Sequence, residues 1–228
     1  VIEMQLKGAP SWRLSVGDGH SVEQFMLFVR DAAMLQVPSD PVVPPQLLGT
    51  VARTIEFDPD EQRGVGAQWL SWWRDAVGLA VTRHHQNGQE GGRPNGRQRI
   101  ADLQAVSDPP LFTALSERLA LQRAARASIE EFRLWPSTTR RRVTTARPAE
   151  QLEWALMKQV AEDVAFDHAV SLDRVRATIT VLPVEGLWWR QIAPGVVFCS
   201  SAAVADRGTA HALLREAFDS QVRSHETE

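Results

Sequence analysis

Residues 175–199 read VRATITVLPVEGLWWRQIAPGVVFC, and the fold class follows from them. Val175, Ala177, Ile179 and Val181 alternate with Arg176, Thr178 and Thr180, the period of a strand with one buried and one wet face. Glu185-Gly186 turns the chain, and residues 187–192 form a second strand. Ala193-Pro194-Gly195-Val196 suits a type II turn, Pro fixing φ and Gly supplying a positive φ. Residues 196–199 make a third strand that ends at Cys199. A helix follows, from about 206 to 222, with Ala210, Leu213, Leu214 and Phe218 on its inner stripe. The three strands are expected to form an antiparallel meander, with this helix on the face of Ile179 and Val181. Short hairpin-connected strands beside long helices specify an α+β fold: an antiparallel sheet packed with four to five helices, not a doubly wound parallel sheet.

Upstream of this stretch the pattern is mostly helical. Pro148 opens a helix patterned from Leu152 to about Val170, and Asp108-Pro109 opens another that reaches about Leu134. Residues 136–147, with Arg140, Arg141 and Arg142, read as a polar loop between the two. Asp58-Pro59-Asp60-Glu61 starts a long helix: an Asp cap, Pro at the first helical position, and acids complementing the dipole. Its apolar stripe includes Trp69, Trp72, Trp73 and Val77. Residues 50–57 alternate like a half-buried strand. Pro38, Pro41, Pro44 and Pro45 hold an extended connection to a helix over 22–35, whose start has capping-box spacing at Ser21 and Gln24. Residues 2–6 and 12–16 read as two short strands joined by Lys7-Gly8-Ala9-Pro10-Ser11, followed by a turn at Gly17-Asp18-Gly19-His20.

At 228 residues the chain is long enough to bury about 70% of its unfolded surface. The reading is one α+β domain over 1–228. Residues 86–99 (QNGQEGGRPNGRQR) hold no apolar side chain, so they are expected to be a mobile surface loop or the boundary between halves at 1–85 and 100–228. The formal charge of -3 and pI near 6.1 exclude a whole-surface basic field for nucleic acid. Charge is unevenly spread: eleven Arg face five acids between Arg93 and Arg147. Only Lys7 and Lys158 are lysines, and the Arg bias reads as GC-rich, bacterial coding rather than phosphate recognition. One cysteine, Cys199, excludes an internal disulfide and a cysteine-based zinc site, and points to a reducing, cytoplasmic setting. No signal-peptide pattern and no apolar run of about 20 residues is present, so no membrane partner is expected.

Three groups of residues are candidates for chemistry. Cys199 ends a strand and precedes a helix, a corner where helix N–H groups can lower a thiol pKa and form an oxyanion hole. His168 or His211 would then be its base. Against this, neither the Cys-x5-Arg nor the Gly-x-Ser-x-Gly pattern is present, and a lone Cys after Val196-Val197-Phe198 is commonly a small buried hydrophobe. His168 continues the apolar stripe of Trp154, Met157, Ala161 and Val164, with Asp163 and Asp167 beside it. That set suits a tuned base or a metal ligand; the competing reading is a hydrogen-bonded His at the end of a core helix. No H-E-x-x-H or comparable spacing occurs, so neither metal nor cofactor is expected. Arg140, Arg141, Arg142 and Arg147, with Arg93, Arg97 and Arg99, offer forks for an anionic ligand, or simply a solvated positive surface.

The remaining features have ordinary structural readings. Gly17-Asp18-Gly19 lacks the Lys of a phosphate loop and the third Gly of a dinucleotide loop. His84-His85 suits a helix C-terminus without any ligand. The Trp69, Trp72 and Trp73 stripe reads as core, while Trp188-Trp189 puts one indole on each strand face. No motif carries a family resemblance. The sequence therefore supports a non-catalytic binding or interaction module for an anionic ligand or a protein partner, as a homo-oligomer in one version. The alternative is a small hydrolase or transferase built on Cys199 or His168.

Overall fold

The computed structural model describes residues 11–17, 21–88, 108–143 and 152–226. The strand expected at 2–6, the turn at 18–20, Pro148, Arg147 and residues 89–99 of the polar run 86–99 lie outside them, while residues 86–88 of that run are helical rather than loop. The chain divides into two compact units: Val1–Gly19 with Ala146–Glu228, and His20–Thr145. The positions 85 and 100 both fall within the second unit. Among the described residues the fold is α+β, with six helices and a four-stranded mixed sheet. No described helix is long and apolar enough to cross a membrane.

The first unit holds the sheet. Its strands are β1 (Arg13–Gly17), β2 (Arg176–Leu182), β3 (Trp189–Ala193) and β4 (Val196–Ser200), in the order β1-β2-β4-β3. β1 pairs in parallel with β2, and β2 in parallel with β4; only β3 and β4 form an antiparallel hairpin. This corrects the expected meander. The turn at Gly186 (φ 73°) carries β3 past β4 rather than back onto β2, and Gly195 (φ 73°) closes the β3–β4 hairpin as its Pro-Gly sequence implies. Three helices accompany the sheet: α4 (Trp154–Asp167), α5 (Ser201–Ala205) and α6 (Arg207–Glu226).

Leu14, Val16, Ala177, Ile179, Val181 and Val197 share one hydrophobic core with Leu156, Val160 and Val164 of α4 and Leu213, Leu214 and Phe218 of α6. The last helix therefore packs on the face of Ile179 and Val181, as its stripe requires. Thr180 and Leu182, on the expected wet face, are also buried, as are Val196 and Phe198. β2 and β4 are interior strands with a parallel neighbour, the setting in which both faces are covered.

The second unit is helical: α1 (Ser21–Ala32), α2 (Pro59–Gly88) and α3 (Leu119–Val143). Asp58 caps α2, its Oδ1 accepting the N–H groups of Asp60 (2.9 Å) and Glu61 (2.8 Å). Trp69, Trp72 and Trp73 are fully buried, and Trp69 stacks on Trp73 with ring centroids 5.6 Å apart. The buried Arg30 guanidinium lies over Trp69 and donates to the carbonyls of Pro44 (2.6 Å) and Pro45 (2.7 Å) and to Asp31 (2.6 Å). Asp31 in turn accepts the Leu47 N–H at 2.7 Å, and the Trp73 indole N–H donates to the Val42 carbonyl at 2.9 Å. The Pro-rich connection is thereby pinned through its main chain.

Three other expectations are corrected here. Residues 50–57 belong to no sheet among the described residues; Thr54 spends its N–H on the Ala32 carbonyl (3.1 Å) and its hydroxyl on Ser128 (2.8 Å). Asp108 does not start a helix. Its carboxylate takes the N–H and hydroxyl of Thr113, both at 2.6 Å, and those bonds hold its carboxyl below the usual range. Phe112 is left-handed (φ 50°) and stacks on Phe25, so α3 begins only at Leu119. Conversely, α3 runs through Pro136 to Val143, which places Arg140, Arg141 and Arg142 in its last turns rather than in a loop.

α1 and α4 end alike. The Leu35 N–H reaches the Arg30 carbonyl (3.0 Å) and the Met34 N–H that of Asp31 (3.1 Å); Val170 reaches Ala165 (3.0 Å) and Ala169 reaches Phe166 (3.1 Å). These are Schellman endings, with Met34 and Ala169 at the left-handed position (φ 50°) where Gly is usual. Ala169→Gly should therefore stabilise the protein by about 0.5–1 kcal/mol, because the Cβ strain of a left-handed Ala is relieved; urea denaturation reads the gain, and a loss would deny the strain. In the same assay Leu214→Ala should cost about 2–5 kcal/mol, the range for truncating a buried Leu. A cost below about 0.5 kcal/mol, the scale of surface substitutions, would mean that this face is not core.

Candidate functional site

The corner between β4 and α5 is the place where sequence put a nucleophile. Cys199 stands opposite Val181 of β2 and Trp189 of β3, in the middle of the sheet. Its side chain belongs to the hydrophobic core and is fully buried. Among the described residues its Sγ–H donates to the Thr180 carbonyl, a long contact of 3.9 Å. Burial pushes the thiol up to about 12. The Ala203 N–H at the start of α5 serves the next residue instead. Ser200 is the N-cap of α5: its Oγ accepts the N–H of Ala203 (3.1 Å) and of Trp188 (3.2 Å), and donates to the Gly186 carbonyl (2.7 Å). The strand-to-helix corner is therefore real, and its polar function there is to fasten the 186–188 turn.

His168 is the C-cap of α4. Its Nε2 lies 3.2 Å from Oδ1 of Asp219 on α6, with both side chains about four-fifths buried. Oδ2 of Asp219 accepts from Arg215 Nε (2.9 Å), and Arg215 Nη2 donates to Asp167 at 2.6 Å. Two carboxylates thus flank Arg215, Asp167 first and Asp219 second, and raise its pKa above the ordinary value. The four residues form a polar ladder across α4 and α6. Sequence reasoning placed Asp163 and Asp167 beside His168; the structure adds Asp219 and Arg215, joins Asp167 to them through Arg215, and leaves Asp163 exposed. Asp219 stands 51 residues away, and its position one step from the inner residue Phe218 was the only available signal.

The remaining candidates are separate from this ladder. His211 is exposed on α6. Arg140, Arg141 and Arg142 are described by their backbone alone, at the end of α3 in the other unit. His84 is buried and His85 exposed at the end of α2, with ring centroids 5.8 Å apart. Among the described residues no group of three or more His, Cys, Asp and Glu side chains is placed to hold a metal ion.

Surface aromatics of the first unit stand out more than its titratable groups. Trp12 stacks on Trp154 at 4.9 Å and meets the buried Phe218 edge-on at 6.2 Å, while Trp154 stays 39% exposed. Phe166 is 85% exposed on the outer side of α4. Leu187, 64% exposed, is carried on the turn that Ser200 fastens. Trp189, the first residue of β3, packs against the core; Trp188 precedes the strand and is half-buried.

No family model, no curated protein and no solved structure matches this chain. Its chemistry has to be judged on its own residues. The thiol provides a direct check. Titration of thiolate absorbance in the folded protein should show no ionisation below about pH 11, and an aromatic disulfide reagent at pH 8 should label Cys199 only in denaturant. Rapid labelling of the native protein would make Cys199 an accessible, activated thiol.

Proposed function

We propose that this chain is a non-catalytic binding or interaction module that takes an anionic ligand or a protein partner. The observation that supports the reading best is how its catalytic candidates are occupied. The sole cysteine sits in the core with its thiol pushed up to about 12. An attacking thiolate would have to be generated against that burial, without the Ala203 N–H that Ser200 takes. His168 is tied to Asp219 at the junction of two helices, where a fixed pair serves packing as readily as proton transfer.

Two features favour binding. Apolar side chains stand exposed at well-held positions, notably Leu187 and the Trp12–Trp154 stack; large exposed aromatics of this kind tend to mark contact sites. The excess of Arg between Arg93 and Arg147 favours an anion as ligand, since guanidinium forks pair bidentately with phosphate or carboxylate.

Inorganic polyphosphate is a suitable probe. It should bind at low salt and weaken steeply toward physiological ionic strength, where exposed charges are screened beyond about 8 Å. Replacing Arg140, Arg141 and Arg142 together with Ala should remove most of the salt-sensitive binding and leave the thermal midpoint nearly unchanged. Equal binding by the triple variant, or none by the parent at low salt, would reject the anionic reading.

A further inference from the structure

β1 and β2 present two different faces. Leu14, Val16, Ala177 and Ile179 belong to the core shared with α4 and α6. Side chains alternate along a strand, so Arg13, Ser15, Arg176 and Thr178 stand on the opposite face, each half-buried. In the parallel register Arg13 lies opposite Arg176, and Ser15 opposite Thr178. Neighbouring strands run about 4.8 Å apart, so the two arginine side chains leave the sheet next to each other. Like charges set opposite each other in this way destabilise a strand pair unless something offsets them.

The groups around the pair do not cancel its charge. Arg176 Nε donates to the main-chain carbonyl of Asp173 at 3.0 Å. The Asp173 carboxyl is held below its ordinary range, first by a hydrogen bond from Ser171 and then also by the charges of Arg176 and Arg174. One carboxylate is thus shared between two arginines. Among the described residues, no protein group lies within hydrogen-bond or ion-pair distance of the Arg13 guanidinium or the Ser15 hydroxyl. A guanidinium has five N–H donors in a planar fork, and here a half-buried one has them unspent beside a second cation.

We propose that Arg13 and Arg176, with the Ser15 hydroxyl beside them, bind a phosphate-type oxyanion on this face of the sheet. The anion offsets the repulsion between the two side chains and accepts the donors that Arg13 leaves unspent. Phosphate suits the set better than a carboxylate does. A carboxylate offers two oxygens in one plane, which a single guanidinium fork already satisfies. A tetrahedral anion presents further oxygens to a second guanidinium and to a hydroxyl. The site rests on the anionic reading given above, but not on the same residues: it lies in the first unit, whereas Arg140, Arg141 and Arg142 lie in the second.

Inorganic phosphate added to the full chain tests the site, with the amide resonances of Arg13, Ser15, Arg176 and Thr178 as the readout. They should shift saturably, with a dissociation constant of about 1 mM or below. Arg13→Gln should weaken the binding at least about tenfold, the scale of one charge-assisted contact. Arg13→Lys keeps the charge and the apolar stem but not the fork, and should weaken it as well. Replacing Arg140, Arg141 and Arg142 with Ala should leave the binding unchanged, as should Arg223→Gln, which removes one charge from α6. No saturable shift in the parent, or equal binding by Arg13→Gln, would overturn the site. An equal loss in Arg223→Gln would overturn it in favour of a response to net charge. Binding lost only in the triple variant would overturn it and leave the anionic reading to α3. Acetate at the same ionic strength should not reproduce the shifts, and equal shifts with acetate would overturn the assignment to phosphate.

Discussion

The parallel pairing of β1 with β2 is the constraint on which the first unit rests. Arg13 stands opposite Arg176 and Gly17 opposite Thr180. A parallel pair cannot be closed by a tight turn; it needs a crossover that returns the chain to the same end of the sheet. Here the chain between the two strands contains the whole second unit and then α4. Leu14 and Val16 lie in the core that α4 and α6 cover, so removing β1 would strip two buried apolar residues from a core otherwise built from residues beyond 150. The first unit therefore cannot be complete until the distant strand has returned, whatever the second unit does in between. Non-local pairing of this kind carries loop-closure entropy that local hairpins such as β3–β4 do not.

The polar groups near the sheet serve this assembly. Ser200 bonds to Gly186, Trp188 and Ala203, and so fixes the start of α5 to the turn before β3. Ser220 accepts the Gly195 N–H at 3.1 Å and donates to the Ala217 carbonyl, which ties α6 to the β3–β4 turn. His168, Asp219, Arg215 and Asp167 join the end of α4 to α6. Each of these groups has a partner that also orients an element, as the cost of leaving a buried polar group unpaired favours. A reactive group would have to be spared such a partner, and Cys199 and Ser200 are not: one is sealed by packing, the other spent on a cap.

Local chemistry was legible in the sequence and long-range geometry was not. The Asp58-Pro59 start of α2, the Pro-Gly turn at 194–195, the alternation of Val175 to Val181 and the inner stripe of α6 each depend on neighbours within a few residues. Strand direction depends on none of them: alternation says which face Ile179 points to, and nothing about whether β2 lies beside β3 or β4. Residues 50–57 show the same limit from the other side, since their alternation is met by Ala32 and Ser128 rather than by a strand. Helix ends at Met34 and Ala169 carry no Gly to announce them, and the burial of Phe112 overrides the helix start that Asp108-Pro109 suggests. For the site, Cys199 as a buried hydrophobe and His168 as a helix-end residue were both readable; Asp219 and Arg215 as its neighbours were not, because pairing across 51 residues leaves no local trace.

Arginine is the residue whose meaning changes most between sequence and structure. By count the Arg excess resembles a ligand footprint, but Arg30 of the second unit lies outside that excess and is buried. A buried guanidinium without acceptors would destabilise the unit severely. Arg30 has Asp31 as counter-ion, two carbonyls from Pro44 and Pro45, and the face of Trp69. Proline fixes φ, so the two successive carbonyls are held in one backbone conformation in front of the guanidinium. A planar fork then holds two successive carbonyls at once, a geometry a lysine ammonium cannot match. The Pro44-Pro45 pair and the charge inside α1 are thus partners in one arrangement. An Arg in this chain has to be assigned to structure or to ligand by the acceptors around it, and the composition alone cannot make that assignment.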